Sequence, residues 1–438
     1  MENDRAIEPE YDVVIVGGRP AGASLAARLG ERGVKVLVVD RARFPSLPSV
    51  PSCPLLYPPA MALLDELGID ERLYGDESSK SRRFVIELGD HFDTHLDMIR
   101  TLGRDYLYGI DRARFDLAVW DSLARHPSVT ARQGVGLTDL MRDEAGRVIG
   151  VECRTDGGES LSIRARCVVG ADGRFSLVAR KAGARVLEDY ADRTSTVHYA
   201  FWEDVVPYDE DTSPRVHIHA TGRGADVLLF PMPERRTVVC THLRSDRVHV
   251  EGDAEGFYLR KLDSFAGVRR RLKGARRVTP VVGMKRVGNR LLSAGGPGWV
   301  LTGDALHHKD PVDGQGIYDA LIESKLLALE LHAWLAGRQT FEQALAAYER
   351  RVREETHGMF LASMERLKRE LYDEPPELVM KTVLRWLVTD EEYKQRLVLF
   401  LSRAIPPETW FTPSLMRRAI LRGALGDVRR LLRRGRAS

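Results

Sequence analysis

Residues 11–40 constrain this chain more than any other stretch. YDVVIV, at 11–16, is a short β-branched apolar run without polar alternation, which predicts a strand buried on both faces. GGRPAGAS follows, then the helix-like SLAARLGERG, then a second apolar run, VKVLVVD, ending at Asp40. Strand, glycine turn, helix and strand together predict a βαβ unit and an α/β fold. Gly17 allows the tight turn, and Gly22 lets the helix pack closely on the strand. The helix start, with Ala21 in its first turn, offers free backbone N–H groups to a pyrophosphate. Asp40, with Arg41 beside it, stands 18 residues after Gly22, where a carboxylate can accept ribose hydroxyls. An acid there favours a free 2′-hydroxyl over a 2′-phosphate. The middle glycine of the G-x-G-x-x-G pattern is Arg19 here, a side chain able to reach a phosphate itself.

Composition narrows the class further. The 438 residues include 66 Lys plus Arg and 63 Asp plus Glu, a net charge of +3 that gives no reason to expect a nucleic-acid partner. No apolar stretch approaches the roughly 18–20 residues of a bilayer span. The acidic start, MENDRAIEPEYD, is unlike a secretory signal. The four cysteines, Cys53, Cys153, Cys167 and Cys240, show no C-x-x-C spacing and fit reduced thiols in a cytoplasmic protein without a metal site.

Two later motifs complete the pattern. At 166–180, RCVVGADGRFSLVAR runs a strand into a Gly-Ala-Asp-Gly turn and a helix. At 298–320, GWVLTGDALHHKDPVDGQGIYDA ends a strand at Gly303-Asp304 and opens a helix near Gly314. With the N-terminal fingerprint, these resemble the flavoprotein monooxygenases of the aromatic-hydroxylase class over about residues 10–350. Flavin-dependent halogenases and geranylgeranyl-reductase-like enzymes share that fold. The family's central motif corresponds to Gly170, Asp172, Gly173, Ser176 and Arg180. Its late motif corresponds to Gly303, Asp304, His307, Pro311, Gly314, Gln315 and Gly316.

The resemblance implies a Rossmann-like FAD-binding domain (1–80, 100–190 and 280–338), an antiparallel β-sheet substrate domain (81–99 and 191–279) and a C-terminal helical region (339–438). FAD would be held by Gly17, Arg19, Ala21, Gly22, Asp40, Arg41, Arg112, Asp172, Gly173, Gly303, Asp304, Pro311, Gly314, Gln315 and Gly316. Pro311 and Gly314 would bring bare backbone to the flavin ring, and the helix after Gly314 would support the anionic reduced ring. The implied reaction is monooxygenation of an aromatic or polyketide-like small molecule, with O2 and NAD(P)H, through a flavin hydroperoxide. A halogenase fed by a separate flavin reductase, with Lys80 as its catalytic lysine, and an alkene reductase are the alternatives. Against the halogenase, DVLLFPMP stands where a Trp-x-Trp-x-Ile-Pro signature would be.

Strand-like alternation at 82–97 and 195–244 makes Phe201, Trp202, Leu228 and Phe230 candidate pocket residues. His217 and His219 alternate on a strand and read as polar residues of that sheet rather than as metal ligands. The Pro- and Ser-rich stretch 45–59 reads as a loop over the flavin. The last 26 residues, 413–438, carry eight arginines and one acid, a basic amphipathic helix that reads as solvated, with a peripheral membrane contact as the alternative.

Overall fold

In the computed structural model, residues 6–48, 52–89, 91–249 and 252–434 are described. The first strand, Glu10–Val16, lies between Val36–Asp40 and Ser160–Gly170, parallel to both. Val13, Val14 and Ile15 have no exposed surface, as expected of a strand covered on both faces. Val129–Gln133 and Trp299–Leu301 extend the parallel sheet at its two sides. Ser160–Gly170 serves two further partners besides Trp299–Leu301. Its second half pairs with the first strand, and its first half pairs antiparallel with Val148–Thr155.

Helix Pro20–Gly30 starts on Pro20, whose fixed φ suits the first helical position. The 20-residue helix Gly316–Leu335 packs beside it, and the Ser324 hydroxyl donates to the Ala21 carbonyl at 2.7 Å. The mainly apolar core of this sheet holds the two glycine motifs in place.

The second sheet runs, in order, Arg276–Arg277, Ser195–Glu203, Thr237–Arg244, Ala225–Pro231, Val216–Ala220, Arg83–Leu88 and Phe92–Asp97. It is antiparallel except where Val216–Ala220 meets Arg83–Leu88 in parallel. Those two strands come from separate insertions, so no hairpin fixes their direction. One face carries Tyr199, Phe201, Val216, Leu228, Phe230 and Val238. The other carries Ala200, Trp202, Val227, Leu229 and Val239 and is covered by helices Ala254–Asp263 and Ala266–Arg271.

One sequence expectation needs correcting. The end of the stretch 45–59 is not loop: Leu55–Leu56 pairs with Leu107–Gly109, and helix Pro58–Asp65 follows. The Pro58-Pro59 pair starts this helix rather than breaking one. Residues 49–51 of the same stretch lie outside the described residues. Helices between Gly358 and Leu401 lie over the apolar face of the second sheet.

Candidate functional site

The site grows from the first turn. Gly17 has φ +102°, and a Cβ on it would lie 2.3 Å from the Ala171 carbonyl oxygen. A Cβ on Gly22 would lie 1.7 Å from the Gly17 carbonyl oxygen, so only glycine lets the helix start reach the strand end. Arg19 occupies the N-cap position but makes no capping bond there. Its guanidinium turns away to Asp116, the Ser46 hydroxyl and two loop carbonyls. Arg112 bonds the same Asp116 at 3.0 and 3.1 Å and the Ser52 hydroxyl at 2.8 Å. Asp116 is fully buried, so one carboxylate holds two guanidiniums beside an uncapped helix start. That leaves a net positive corner, suited to a diphosphate.

Around this corner runs a cavity of about 330 Å³. Gly17, Arg19, Ala21, Asp40, Arg41, Arg112, Asp172, Gly173, Asp304, Pro311, Gly314 and Gly316 line it. The other three expected cofactor residues support it without lining it. Gly22 sets the helix start. Gly303, at φ +62°, passes close to Ala21. The Gln315 side chain donates to the Leu401 carbonyl and accepts from Arg403. Asp40 accepts from the Gly18 and Ala42 N–H groups, each at 2.8 Å, so it also fixes the turn. Asp172 is committed mainly to structure. It accepts from Ser176 and from the Leu177 and Val178 N–H groups at the start of helix Leu177–Ala182. Burial raises its pKa despite those bonds.

Sequence reasoning missed several cavity residues. Arg174 donates to Asp304 at 3.0 Å and to the Lys309 carbonyl at 2.6 Å. Lys309 and Asp319 form a buried ion pair at 2.5 Å, joined by Arg403 from beyond the third motif. The charge alternation in HHKDPVDGQGIYD was a visible signal, but nothing in it locates Arg403. His307, packed on Phe360, is pushed down to about 3 by burial and is held neutral.

A second, apolar cavity of about 260 Å³ lies between the second sheet and the C-terminal helices. Phe84, Leu228, Phe230, Leu397, Leu401 and Trp410 are among its walls. Its few polar groups include Asp226 and His242. His242 bonds Asp310 at 2.9 Å, and Asp310 also accepts from Ser195. Burial opposes both charges, but the pair overrides it: His242 ends raised and Asp310 lowered. Asp226 has no such partner. Burial, and then the neighbouring Glu370 charge, push its carboxyl up to about 7, and its Oδ1 finds no hydrogen bond.

The two cavities share Ser52, Cys53, Pro311 and Gly314. Gly314 has φ +65°, and a Cβ there would meet Cys53 Sγ at 3.1 Å. The Cys53 thiol is itself pushed up to about 12 by burial, so it is inert as a nucleophile.

Of the four expected pocket residues, Leu228 and Phe230 line the apolar cavity and Phe201 packs on the same face. Trp202 does not. It faces the opposite layer, where its ring N–H bonds Tyr258 at 3.0 Å. Adjacent strand residues point to opposite faces, so Phe201 and Trp202 cannot share a pocket. Tyr199, two residues before Phe201, is the aromatic residue of that strand that lines the cavity. Lys80 lines neither cavity. Its strand pairs with Leu107–Gly109, and its ammonium sits 4.3 Å from the Tyr106 ring centroid, paired with Glu77. His217 and His219 lie on the face away from the cavity, with His219 3.3 Å from Glu87. No cluster of three or more metal-ligating side chains occurs among the described residues.

A glycine-shaped turn, an uncapped helix start, paired guanidiniums and the cavity beside them fit a dinucleotide cofactor. The profile of the FAD binding domain family matches residues 10–359. The chain belongs to this family and is an FAD-dependent oxidoreductase. It is 28% identical over 338 residues to a ubiquinone hydroxylase, UbiL, of Rhodospirillum rubrum, covering 74% of this chain and 72% of that one. A digeranylgeranylglycerophospholipid reductase of Methanopyrus kandleri is 27% identical over 397 residues, 89% of this chain and 96% of the reductase. Among solved structures, the flavin-dependent brominase Bmp2 superposes with a TM-score of 0.72 at 18% identity, covering 94% of this chain and 98% of the brominase. Hydroxylases, halogenases and isoprenoid reductases thus share this architecture.

Proposed function

We propose that the chain is a monooxygenase that inserts one oxygen atom of O2 into a largely apolar aromatic or polyketide-like molecule, with electrons from NAD(P)H. The observation that carries this reading is the wall shared by the two cavities at Ser52, Cys53, Pro311 and Gly314. A polar cleft for the cofactor meets an apolar chamber for the substrate there.

Bound in the first cavity, FAD supplies two-electron redox chemistry and the activation of O2. The chain's own residues do the rest. The start of helix Pro20–Gly30, with Arg19 and Arg112, holds the diphosphate. Asp40 and Arg41 hold the adenosine ribose, and Asp304 accepts a hydroxyl of the flavin chain. Pro311, Gly314 and Gly316 present backbone without bulky side chains, and the N-terminal end of helix Gly316–Leu335 favours negative charge nearby. The aliphatic and aromatic walls of the second cavity exclude water and hold the substrate ring against the shared wall. Asp226, whose carboxyl burial pushes up to about 7, can hydrogen-bond a polar substituent of that ring. A cytoplasmic setting belongs to this reading, because a cytoplasm keeps thiols reduced and supplies nicotinamide donors.

The halogenase alternative lacks its expected lysine at the shared wall, since Lys80 stands over Tyr106. The deciding experiment uses FAD-loaded protein without oxygen. NADPH or NADH is added with and without a panel of apolar aromatic compounds, and bleaching of the oxidised flavin is followed. Oxygen is then admitted and the product mass is read. Bleaching that a ligand accelerates, with a gain of one oxygen atom, is expected. Bleaching only by a separate flavin reductase, with a halogen gained or two hydrogens added, would replace this reading with one of the other two.

A further inference from the structure

Helix Pro413–Arg434 carries two apolar faces rather than one. The first faces the body. Leu415 and Ala419 are fully buried, Gly423 packs against the Trp386 ring, and Asp427 accepts from Trp386 at 2.8 Å and pairs with Arg385. The second faces outwards. Leu421, Leu425, Val428 and Leu432 recur at i, i+4, i+7 and i+11, a single stripe on the side away from the body. They are 62%, 56%, 52% and 65% exposed.

Arginines border the stripe. At 100° per residue, Arg417 falls on one edge, and Arg418, Arg422 and Arg429 fall on the other. Arg418 and Arg422 are paired with Glu392 and Asp390. Arg417 and Arg429 form no ion pair among the described residues. A lone stripe of leucines would suit any apolar partner. Cations along both edges suit a surface that is apolar within and anionic at its rim, the profile of an acidic lipid leaflet.

We propose that this helix lies flat in the interface of an anionic bilayer, with leucines among the acyl chains and arginines among the headgroups. The contact is peripheral: no helix among the described residues is long and apolar enough to cross a membrane. The helix beneath it, Arg385–Val388, contributes Leu387 and Val388 to the apolar cavity wall, so the membrane-facing element sits beside that chamber. The proposal does not depend on which oxidation the site performs.

The test is co-sedimentation of the FAD-loaded protein with vesicles of phosphatidylcholine alone and with added phosphatidylglycerol. Binding to the mixed vesicles is expected, weakening with salt, and little binding to phosphatidylcholine alone. Leu421→Ser, Leu425→Ser and Leu432→Ser combined should weaken vesicle binding about tenfold or more. FAD content and melting temperature should stay unchanged, because all three side chains are exposed. Arg417→Gln with Arg429→Gln should reduce the preference for anionic vesicles. Binding that survives the leucine substitutions would overturn the proposal. So would a wild-type protein that ignores both vesicle types. A dimer in sedimentation velocity that the leucine substitutions dissociate, without vesicle binding, would show that a second copy covers the stripe instead.

Discussion

Asp226 is a buried acid whose surroundings do little to support its charge. Its carboxyl lies in an apolar wall with Glu370 nearby, and its pKa is pushed up to about 7. The sign of the consequence follows from linkage. The folded state holds this proton more tightly than the unfolded chain, so the stabilisation is complete below about pH 4 and is lost as pH rises towards 7. Asp226→Asn removes that term while keeping shape. It should raise stability above pH 7 by about 1–3 kcal/mol and flatten the dependence of melting temperature on pH between 4 and 7. Thermal melts of both proteins across that range check it. No local pattern in the sequence marks this residue, because DVLL reads as an ordinary strand start. What makes Asp226 unusual is its burial under elements far along the chain and, second, the charge of Glu370. Gly17, Gly22 and Gly314 were legible for the opposite reason: each answers a demand of its own turn. Arg19 was legible as a departure, but its bond to Asp116 was not. Trp202 shows the limit of composition: aromatic character was read correctly, but the alternation decides the face.

At the scale of elements, the loop Pro311–Gly316 is held mainly from outside the motif that contains it. Asp313 accepts from Ser363 and Arg366, each at 2.5 Å, and the Gln315 amide reaches the Leu401 carbonyl. Helices beyond the third motif therefore clamp the backbone at the wall between the cavities. The sequence announced the loop but not the clamp, since helical periodicity after residue 340 fixes helix faces and not their destination. Arg366→Met leaves the buried Asp313 without its guanidinium and should cost about 3–5 kcal/mol. Adding Asp313→Asn removes one stranded charge and should recover part of that loss. Chemical denaturation of the wild type, both single variants and the double variant gives the coupling directly. FAD content should follow the same order if the clamp sets the loop. Equal additive losses would show that Arg366 merely packs.

At the scale of the whole molecule, one sheet builds the cofactor cleft and the other, with the C-terminal helices, builds the apolar chamber. The βαβ arithmetic and the three motifs made the first legible, because backbone constraints are local there. The second depends on which helix closes which sheet, a long-range choice that leaves only weak traces in the chain. The two cavities meet only along a short wall, so substrate binding should be separable from cofactor binding. Leu228→Trp offers the test. Leu228 lines the apolar chamber from the middle of its strand, and it is not among the residues around the cofactor cleft. A larger ring there fills empty space and should cost no more than about 1–3 kcal/mol through overpacking. FAD content and bleaching by NAD(P)H alone should be preserved. The acceleration of bleaching by apolar aromatic ligands should disappear, because the chamber they occupy is filled. Loss of FAD together with ligand response would mean that the two cavities act as one compartment, and the division of labour between the sheets would have to be abandoned.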